Sequence, residues 1–437
     1  MSWTHYLEDI KENSFHYHSG RVTKVSNLSI EALGLSGNIG DLCLIKTSSN
    51  KSQDIYAQII SQSSKSTILM PFGDTDGIGI EAEISCLNGP LKIPVGDMLL
   101  GQVIDPLGNS LSDLAFVKGS EKVSVKGTKH NPLNREKISK YLTTGVRAID
   151  SFLSIGQGQR IGIFSGSGVG KSTLLGMIAK NSFSDVNVIA LIGERGREVN
   201  DFIHKTLCQE SIAKSVIVVA TADQPTLIRE LAAHTATSIA EYFSNKNKNV
   251  LLIMDSVTRF AMARREIGLS VGEPATARGY TPSTFTELPK LVERAGNFSG
   301  KGSITGIYTV LVEGDDLNEP VSDHMRAILD GHIVLSRDLA NHNHYPAIDI
   351  LQSISRLAND IWSARERDII KSTLKLLSIR ENNKDIVAIG AYKAGSNPDL
   401  DRALDLYPKI QKFLIQEDGE IMQREELFNS LEDIIKA

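Results

Sequence analysis

The stretch Arg160-Ile-Gly-Ile-Phe164, Ser165-Gly-Ser-Gly-Val-Gly170 and Lys171-Ser-Thr-Leu-Leu-Gly-Met-Ile-Ala179 decides the fold of this chain. A short apolar run is followed by a glycine-rich loop and then by a helical pattern of apolar residues. Backbone N–H groups in such a loop point at phosphate oxygens, and the N-terminus of the following helix adds the positive end of its dipole. The order of strand, loop and helix is the P-loop pattern, which predicts a site for a nucleoside triphosphate.

The loop residues differ in the contacts that they are expected to make. The residues predicted to bind the nucleotide are Gly166, Ser167, Gly168, Val169, Gly170, Lys171, Ser172 and Thr173. Lys171 should reach the β- and γ-phosphates, and the Ser172 hydroxyl should bind Mg²⁺. Ser165 stands where the pattern has glycine, although a small residue can still make this turn. A glycine-rich turn without a ligand is the alternative, and the adjoining Gly-Lys-Ser and helix argue against it.

The composition is that of a globular protein with ample core. The chain has 437 residues, of which 41% are hydrophobic and 23% charged, and its formal net charge is −5. This negative charge argues against a general nucleic-acid binder, which usually has a basic excess. The three cysteines, at 43, 86 and 208, have neither metal-ligand nor disulfide spacing and fit a reducing cytoplasm. No apolar run approaches the ~20 residues that span a bilayer, so we expect any membrane role to be peripheral.

Changes of pattern divide the chain into four parts. Residues 1–18 form a leader, and short alternating runs over residues 19–90 predict a small β-barrel. Residues 91–361 contain continuous apolar runs between helical patterns, which is typical of a mainly parallel sheet covered by helices. Residues 362–437 lack such runs and are predicted to be helical. The predicted fold is therefore α/β, with a barrel before the nucleotide domain and a helical domain after it.

Charged residues that follow two apolar strands could complete a catalytic site. Asp255 ends the run Val250–Met254, and ligands of parallel sheets bind at the carboxyl ends of the strands. Asp255 could hold Mg²⁺ there, or it could only cap the next segment. Glu194 follows another apolar strand, where a carboxylate could polarise the attacking water, and this position favours Glu194 over Glu198. Arg195 could brace a phosphate or Glu194, but a charged turn without catalytic function is equally compatible with the spacing.

Two residues near position 350 could supply the remaining parts of a hydrolytic site. Tyr345 could stack on adenine, or it could be an ordinary core residue. Arg356 follows small hydroxyl residues in a polar stretch. It could be a surface arginine or an arginine finger, which is worth roughly 10³–10⁵ in the rate of phosphoryl transfer. Spacing alone does not choose between these alternatives.

Several blocks resemble the catalytic subunits of rotary ATPases and their export relatives. They are Gly193–Val199, Met254–Arg259, Leu291–Gly296, Gly302–Thr305, Leu329–Ser336 and Tyr345–Asp349. Within this superfamily the chain most resembles the flagellar protein-export ATPases, because Gly272–Tyr280 and Ile389–Pro398 favour the flagellar branch over the virulence-injectisome branch. The resemblance covers about residues 20–420. It implies an N-terminal β-barrel, a RecA-like P-loop domain, a helical C-terminal domain and a homohexameric ring with active sites between subunits.

The resemblance also implies roles for individual residues, with ATP and Mg²⁺ as cofactors. Glu194 matches the catalytic glutamate, Lys171 and Ser172 the P-loop pair, and Asp255 the metal-linked aspartate. The remaining matches are Arg195 and Arg259 as supporting arginines, Arg356 as the finger donated to the neighbouring site, Tyr345 as the adenine-stacking aromatic and Tyr392 as a second adenine contact. Export relatives also tolerate a small residue at the position of Ser165.

Partners and location follow from the same resemblance. We expect a homohexamer that binds a stator-like regulatory export protein at the leader, and export substrates and chaperones at the C-terminal domain. The ring would be cytoplasmic and peripheral to the export gate of the inner membrane, and it would bind no nucleic acid.

Other function classes remain as alternatives. An injectisome ATPase belongs to the same class. A non-catalytic nucleotide-binding ring subunit would lack a glutamate at the position of Glu194. An RNA-translocating hexamer would need basic and aromatic residues interleaved in the barrel. Residues 20–90 offer only Tyr56 and Phe72 as aromatics and no basic cluster.

Overall fold

The structure, a computed structural model, describes residues 19–47, 54–87, 89–112, 121–127 and 131–436. The predicted leader, residues 1–18, lies outside the described residues. None of the helices in the described part of the chain is long and apolar enough to cross a membrane.

The first six strands close into a barrel. They are β1 (Ser19–Val25), β2 (Ile30–Leu33), β3 (Leu42–Ile45), β4 (Ile55–Gln62), β5 (Thr67–Pro71) and β6 (Glu83–Cys86). The strand order is β1-β2-β5-β4-β3-β6, and β1 pairs with β6 through Gly20 and Ile84 to complete the ring. Alternate residues point inward to a small apolar core that includes Val22, Ile45 and Ile59. The predicted barrel is therefore confirmed.

A short connection links the barrel to the central sheet. Its strands are β7 (Lys92–Val95), β8 (Val103–Ile104) and β9 (Glu121–Ser124). β7 pairs with β9, whereas β8 pairs with a strand at one edge of the central sheet.

The central domain is built on a mainly parallel sheet. Its strands, with a small preceding pair, are β10 (Tyr141–Leu142), β11 (Ile155–Gly156), β12 (Arg160–Ser165), β13 (Val186–Glu194), β14 (Ser215–Thr221), β15 (Val250–Asp255), β16 (Gly296–Asn297), β17 (Ser303–Leu311), β18 (Gly331–Leu335) and β19 (Ile348–Ser355). The strand order is β19-β18-β12-β17-β15-β13-β14-β8, and β16 adds to β17. Only β16 and β19 run antiparallel to their partners in this sheet.

Helices cover both faces of the sheet. Those of the central domain are α1 (Arg147–Phe152), α2 (Lys171–Asn181), α3 (Gly196–Asp201), α4 (Gln209–Ala213), α5 (Thr226–Asn245), α6 (Val257–Ser270), α7 (Pro282–Val292), α8 (Pro320–Ile328), α9 (Arg337–Asn341) and α10 (Ala358–Ile361). A π-helical turn, Phe202–Thr206, follows α3. One apolar cluster lies under α5, α6 and α7, and a second lies under α1 and α2. The inner strands are buried on both faces, which explains their continuous apolar runs.

The last part of the described chain is helical. It contains α11 (Ala364–Asn382), α12 (Lys384–Ala388), α13 (Pro398–Leu414) and α14 (Arg424–Lys436). Ser363 and Glu366 form a capping box at the start of α11. Apolar residues of α11, α13 and α14 join the cluster beneath α2, so these helices pack on the P-loop face of the sheet. The predicted fold class is therefore confirmed in all three of its parts.

Candidate active site

The predicted loop forms between β12 and α2. β12 ends at Ser165, and α2 begins at Lys171. Gly168 (φ 78°) and Gly170 (φ 88°) have left-handed backbone conformations that glycine adopts without steric cost. The Val169 side chain is 1% exposed and anchors the loop in the cluster under α2.

The other loop residues differ in their exposure. Ser167, Ser172 and Thr173 are exposed, and the last two lie in the first turn of α2, where their hydroxyls can meet a ligand. Gly166 is buried, because a Cβ atom there would lie 2.5 Å from both the Arg337 guanidinium and the Asp315 carboxylate.

Three charged groups meet at the mouth of this loop. The Lys171 ammonium forms a very short ion pair with Oδ1 of Asp255, and it lies 3.4 Å from Oε1 of Glu194. The side chains of Asp255, Lys171 and Glu194 are only 4%, 12% and 15% exposed. One ammonium therefore neutralises two largely buried carboxylates, at the point where the P-loop lysine would contact phosphate.

The burial of this cluster changes its proton affinities. Desolvation raises the pKa of Glu194 to about 7; the Lys171 ammonium opposes this shift, and Asp255 and Glu198 add to it. Burial alone would lower the pKa of Lys171, but the two carboxylates outweigh burial and raise it. Glu194 can therefore exchange a proton near neutral pH while Lys171 keeps its charge.

Parallel strand packing explains why these groups meet. β13 and β15 are adjacent parallel strands in which Leu191 lies opposite Asp255, so Glu194 and Asp255 leave the sheet at the same edge. Thr309 of β17, the strand between β12 and β15, donates a hydrogen bond of 2.7 Å to Oδ1 of Asp255. The structure therefore brings together Lys171, Glu194 and Asp255, as the sequence analysis expected.

The arginines near Glu194 have separate environments. Arg195 precedes α3, its side chain is 84% exposed, and its guanidinium lies 3.5 Å from Glu198, so its ion pair is on the surface beside the cluster. Arg259 packs its aliphatic part against Gly193, and its buried Nε has no hydrogen-bond partner within the described chain. Of these two arginines, Arg259 is therefore the one that packs against the backbone next to Glu194.

The two tyrosines lie in different parts of the molecule. Tyr345 is 39% exposed, and its ring borders the loop so closely that a Cβ atom on Gly170 would lie 3.3 Å from it. The Tyr392 hydroxyl instead donates to Oδ1 of Asp401 at 2.8 Å and lies 3.1 Å from the Asn397 carbonyl, at the start of α13. Only Tyr345 has a contact that joins it to the P-loop, and the predicted adenine contact of Tyr392 stays a prediction.

Arg356 lies at the other end of the sheet. In the pairing of β18 with β19, Leu335 lies near Ile348, whereas Gly331 lies opposite Ser355. Leu335 is also level with Ser165, where the loop begins, and Arg356 is level with Asp330, five residues earlier, so Arg356 lies about 16 Å from the start of the loop along the strand direction. The residue is exposed, and its guanidinium donates to the Arg326 carbonyl. Arg356 therefore lies far from the P-loop of the same chain.

The structure adds a pair that the sequence analysis did not identify. Arg337 donates to the Ser167 carbonyl at 3.2 Å and to Asp315 at 3.0 Å, and both side chains lie against Gly166. Asp315 follows β17, and Arg337 follows β18. The rule that identified Asp255, a charged residue just beyond a strand, could have found both.

Two family models match this chain. The chain matches the model of the ATP synthase alpha/beta family, nucleotide-binding domain, over residues 145–355. It matches the model of the T3SS EscN ATPase C-terminal domain over residues 362–433.

Individual relatives align over nearly the whole chain. The flagellum-specific ATP synthase of Bacillus subtilis is 49% identical over 397 residues, which are 91% of this chain and 90% of the relative. That of Treponema pallidum is 47% identical over 412 residues, 94% of this chain and 92% of the relative. The assembled ATPase EscN from the enteropathogenic E. coli type III secretion system is 43% identical, with a TM-score of 0.90 over 95% of this chain and 100% of EscN. The chain therefore belongs to the family of flagellum-specific ATP synthases and type III secretion ATPases, and it is an ATPase.

Proposed function

We propose that this ATPase hydrolyses Mg²⁺-bound ATP at sites shared between neighbouring subunits of a homohexameric ring, and that hydrolysis energises the export of flagellar proteins. One observation carries the proposal. Lys171, Glu194 and Asp255 meet at the mouth of the P-loop, whereas Arg356 lies at the opposite end of the same sheet. A single subunit thus holds most of a hydrolytic site, and its Arg356 guanidinium lies too far away to complete that site.

The cluster fits ATP and a divalent metal. Phosphate would take the place of the carboxylates around Lys171, and the loop N–H groups would bind its oxygens. Ser172 and Asp255 would hold Mg²⁺ through oxygen atoms, the ligands that this ion prefers. The buried Asp255 carboxylate fits this role because Thr309 already fixes its orientation. Bound Mg²⁺ would supply positive charge that stabilises the transferring phosphoryl group.

Glu194 would orient and deprotonate the attacking water. A base works best when its pKa lies near the working pH, and burial brings the pKa of Glu194 to about 7. Departure of Lys171 towards the phosphates would also remove the cation that now competes for the Glu194 carboxylate.

The remaining predicted residues would act around this centre. Tyr345 would stack on adenine, and Tyr392 would make a second, outer contact with it. Arg195, which is exposed beside Glu198, would act on phosphate or product at the entrance of the site. Arg356 would reach the γ-phosphate held by the neighbouring subunit.

Two solved structures of a relative support the ring. The relative EscN was solved as an assembled ATPase and also in complex with its central stalk EscO. We propose a corresponding homohexamer that is cytoplasmic and peripheral to the membrane export gate. A regulatory export protein would dock on the leader, and substrates and chaperones would dock on the C-terminal helices. Nucleic acid would not be a partner.

An injectisome ATPase is the alternative function, because EscN serves such a system and shares the fold. The flagellum-specific relatives, which are 41–49% identical over 91–98% of this chain, support the flagellar assignment, whereas type III secretion ATPases are 43% identical over 95% and 48% identical over 79% of it. Deletion of the gene should abolish flagellar filaments and motility. Normal filaments with loss of needle secretion would support the alternative.

Mixing two inactive variants tests the shared site. Lys171→Ala removes the P-loop cation, and Arg356→Ala removes the proposed finger, so each homogeneous ring should be inactive. In random mixed rings, about one quarter of the sites would combine an intact loop with an intact neighbouring arginine. A 1:1 mixture should therefore recover ATPase activity, measured as phosphate release.

A matched control uses Arg402→Ala, which also removes an exposed arginine that donates to a carbonyl. This variant should remain active by itself. Absence of recovery in mixtures that form rings, or full activity of Arg356→Ala, would show that each subunit works independently.

A further inference from the structure

The turn that follows α13 returns from the C-terminal helices to the nucleotide domain. Gln416, in this turn, is 4% exposed, although glutamine is a polar residue that is usually found at the surface. A buried amide needs partners for its oxygen and its NH₂ group. The contacts of Gln416 show where it finds them.

All of the partners of the Gln416 side chain are backbone groups. Its Oε1 accepts from the Arg147 N–H at 2.8 Å, and its Nε2 donates to the Gly145 carbonyl at 2.7 Å and to the Glu420 carbonyl. The amide is therefore satisfied at both ends and can hold only one orientation. It ties the turn to the segment just before α1.

The backbone of the same residue holds the candidate base-binding tyrosine. The Gln416 N–H donates to the Tyr345 carbonyl at 2.9 Å. The Tyr345 ring in turn borders Gly170 of the P-loop. Gln416 is therefore connected through its backbone N–H to Tyr345, and through the Tyr345 ring to Gly170 of the P-loop.

Two ion pairs flank this contact. Asp418 pairs with Lys180, near the end of α2, at 2.7 Å, and Glu420 pairs with Arg147 at 2.8 Å. The carboxylates are about half exposed, and such pairs contribute little individually. The buried glutamine is therefore the main attachment of the turn.

We propose that Gln416 is a positioning residue that holds Tyr345 where it stacks on the nucleotide base, an inference that rests on the proposed function. The side-chain amide fixes the turn, and the turn fixes the tyrosine. The affinity for the base then depends on Gln416, whereas the grip on the phosphates does not.

The experiment compares Gln416→Ala and the nearly isosteric Gln416→Glu with wild type, as full-length rings. Gln411→Ala is the matched control, because it removes an amide from the end of α13 that bonds only Tyr407. Both Gln416 variants should raise KM for ATP about threefold to thirtyfold, part of what a base–aromatic stack contributes, and leave kcat at saturating ATP nearly unchanged. Magnesium tripolyphosphate, which lacks a base, should inhibit wild type and variants with equal constants.

A double-mutant cycle separates positioning from general structure. If Gln416 acts through the tyrosine, Gln416→Ala should have almost no further effect on KM in a Tyr345→Ala background. Equal weakening of ATP and tripolyphosphate, unchanged KM in both variants, or additive effects in the cycle would overturn the inference. Failure of wild type to hydrolyse ATP would instead overturn the proposed function.

Discussion

The rate of ATP hydrolysis should rise with pH as the Glu194 carboxyl loses its proton. Burial raises the pKa of this carboxyl to about 7, and a general base must be unprotonated to act. Its unprotonated fraction is about 0.1 one pH unit below the pKa and about 0.9 one unit above it. Because kcat/KM reports groups of the free enzyme, it should rise about tenfold across this interval and then level off.

The assay is phosphate release at ATP concentrations well below KM, with excess Mg²⁺ and constant ionic strength across the pH series. ATP itself also titrates near this range, so a second variant is needed. Glu198 raises the pKa of Glu194 through a hydrogen bond and its negative charge. Glu198→Gln should therefore shift the midpoint to lower pH, whereas a midpoint that belonged to ATP would stay in place.

Three results would refute the reasoning. The first is a kcat/KM that stays constant across the interval, and the second is a midpoint that Glu198→Gln leaves unmoved. The third comes from Glu194→Gln, which keeps the shape of the side chain but removes the base. This variant should bind ATP and lose about 10²–10⁴ in kcat, the usual contribution of a positioned base. Normal turnover would exclude the assigned role.

Two further predictions concern the helix that follows the loop and the cation at its start. A Cβ atom on Gly176 would lie 2.0 Å from the Thr206 side chain, so Gly176→Ala should cost about 1–3 kcal/mol and lower Tm, whereas Gly196→Ala, which meets no atom within 4 Å, should not. Thermal melts of both variants check this, and equal Tm values would contradict it. Lys171→Ala should abolish nucleotide binding and lower Tm more above pH 7 than below it, because protonation of Glu194 relieves the repulsion between the carboxylates left behind. Calorimetry at two pH values measures this difference, and an equal loss of Tm at both pH values would contradict the titration of Glu194 in this range.

The inner strands could be predicted from the sequence because both of their faces are buried, which requires apolar residues at successive positions. Strands such as β13 and β15 are buried on both faces, and their apolar runs are continuous. β19 was not predicted, because it lies at an edge, exposes Leu351 and Ile354, and alternates irregularly. β8 has only two residues, which is too short to give a pattern. Edge strands depend on tertiary pairing that local sequence does not encode.

The site residues that follow the carboxyl ends of parallel strands could be predicted from the sequence. Glu194 and Asp255 stand just beyond apolar runs, Lys171 follows the glycine-rich loop after a third run, and parallel packing brings the carboxyl ends of such strands together. Gln416 gave no signal, because its role depends on a turn more than 230 residues from the loop in sequence. The exposure of Arg195 and Arg356 also required the structure, since the same letters fit a buried or a surface arginine.

The reversed direction of β19 has a consequence for assembly. Because β19 runs against its neighbour, each copy carries its loop on one side and Arg356 on the other. If Arg356 completes the site of the next copy, an open row of subunits has one terminal P-loop without a neighbouring arginine and one terminal arginine without a neighbouring P-loop. Only closure makes the number of working centres equal to the number of copies. A row of n copies would then have n − 1 working centres, and closing the circle would add the last one.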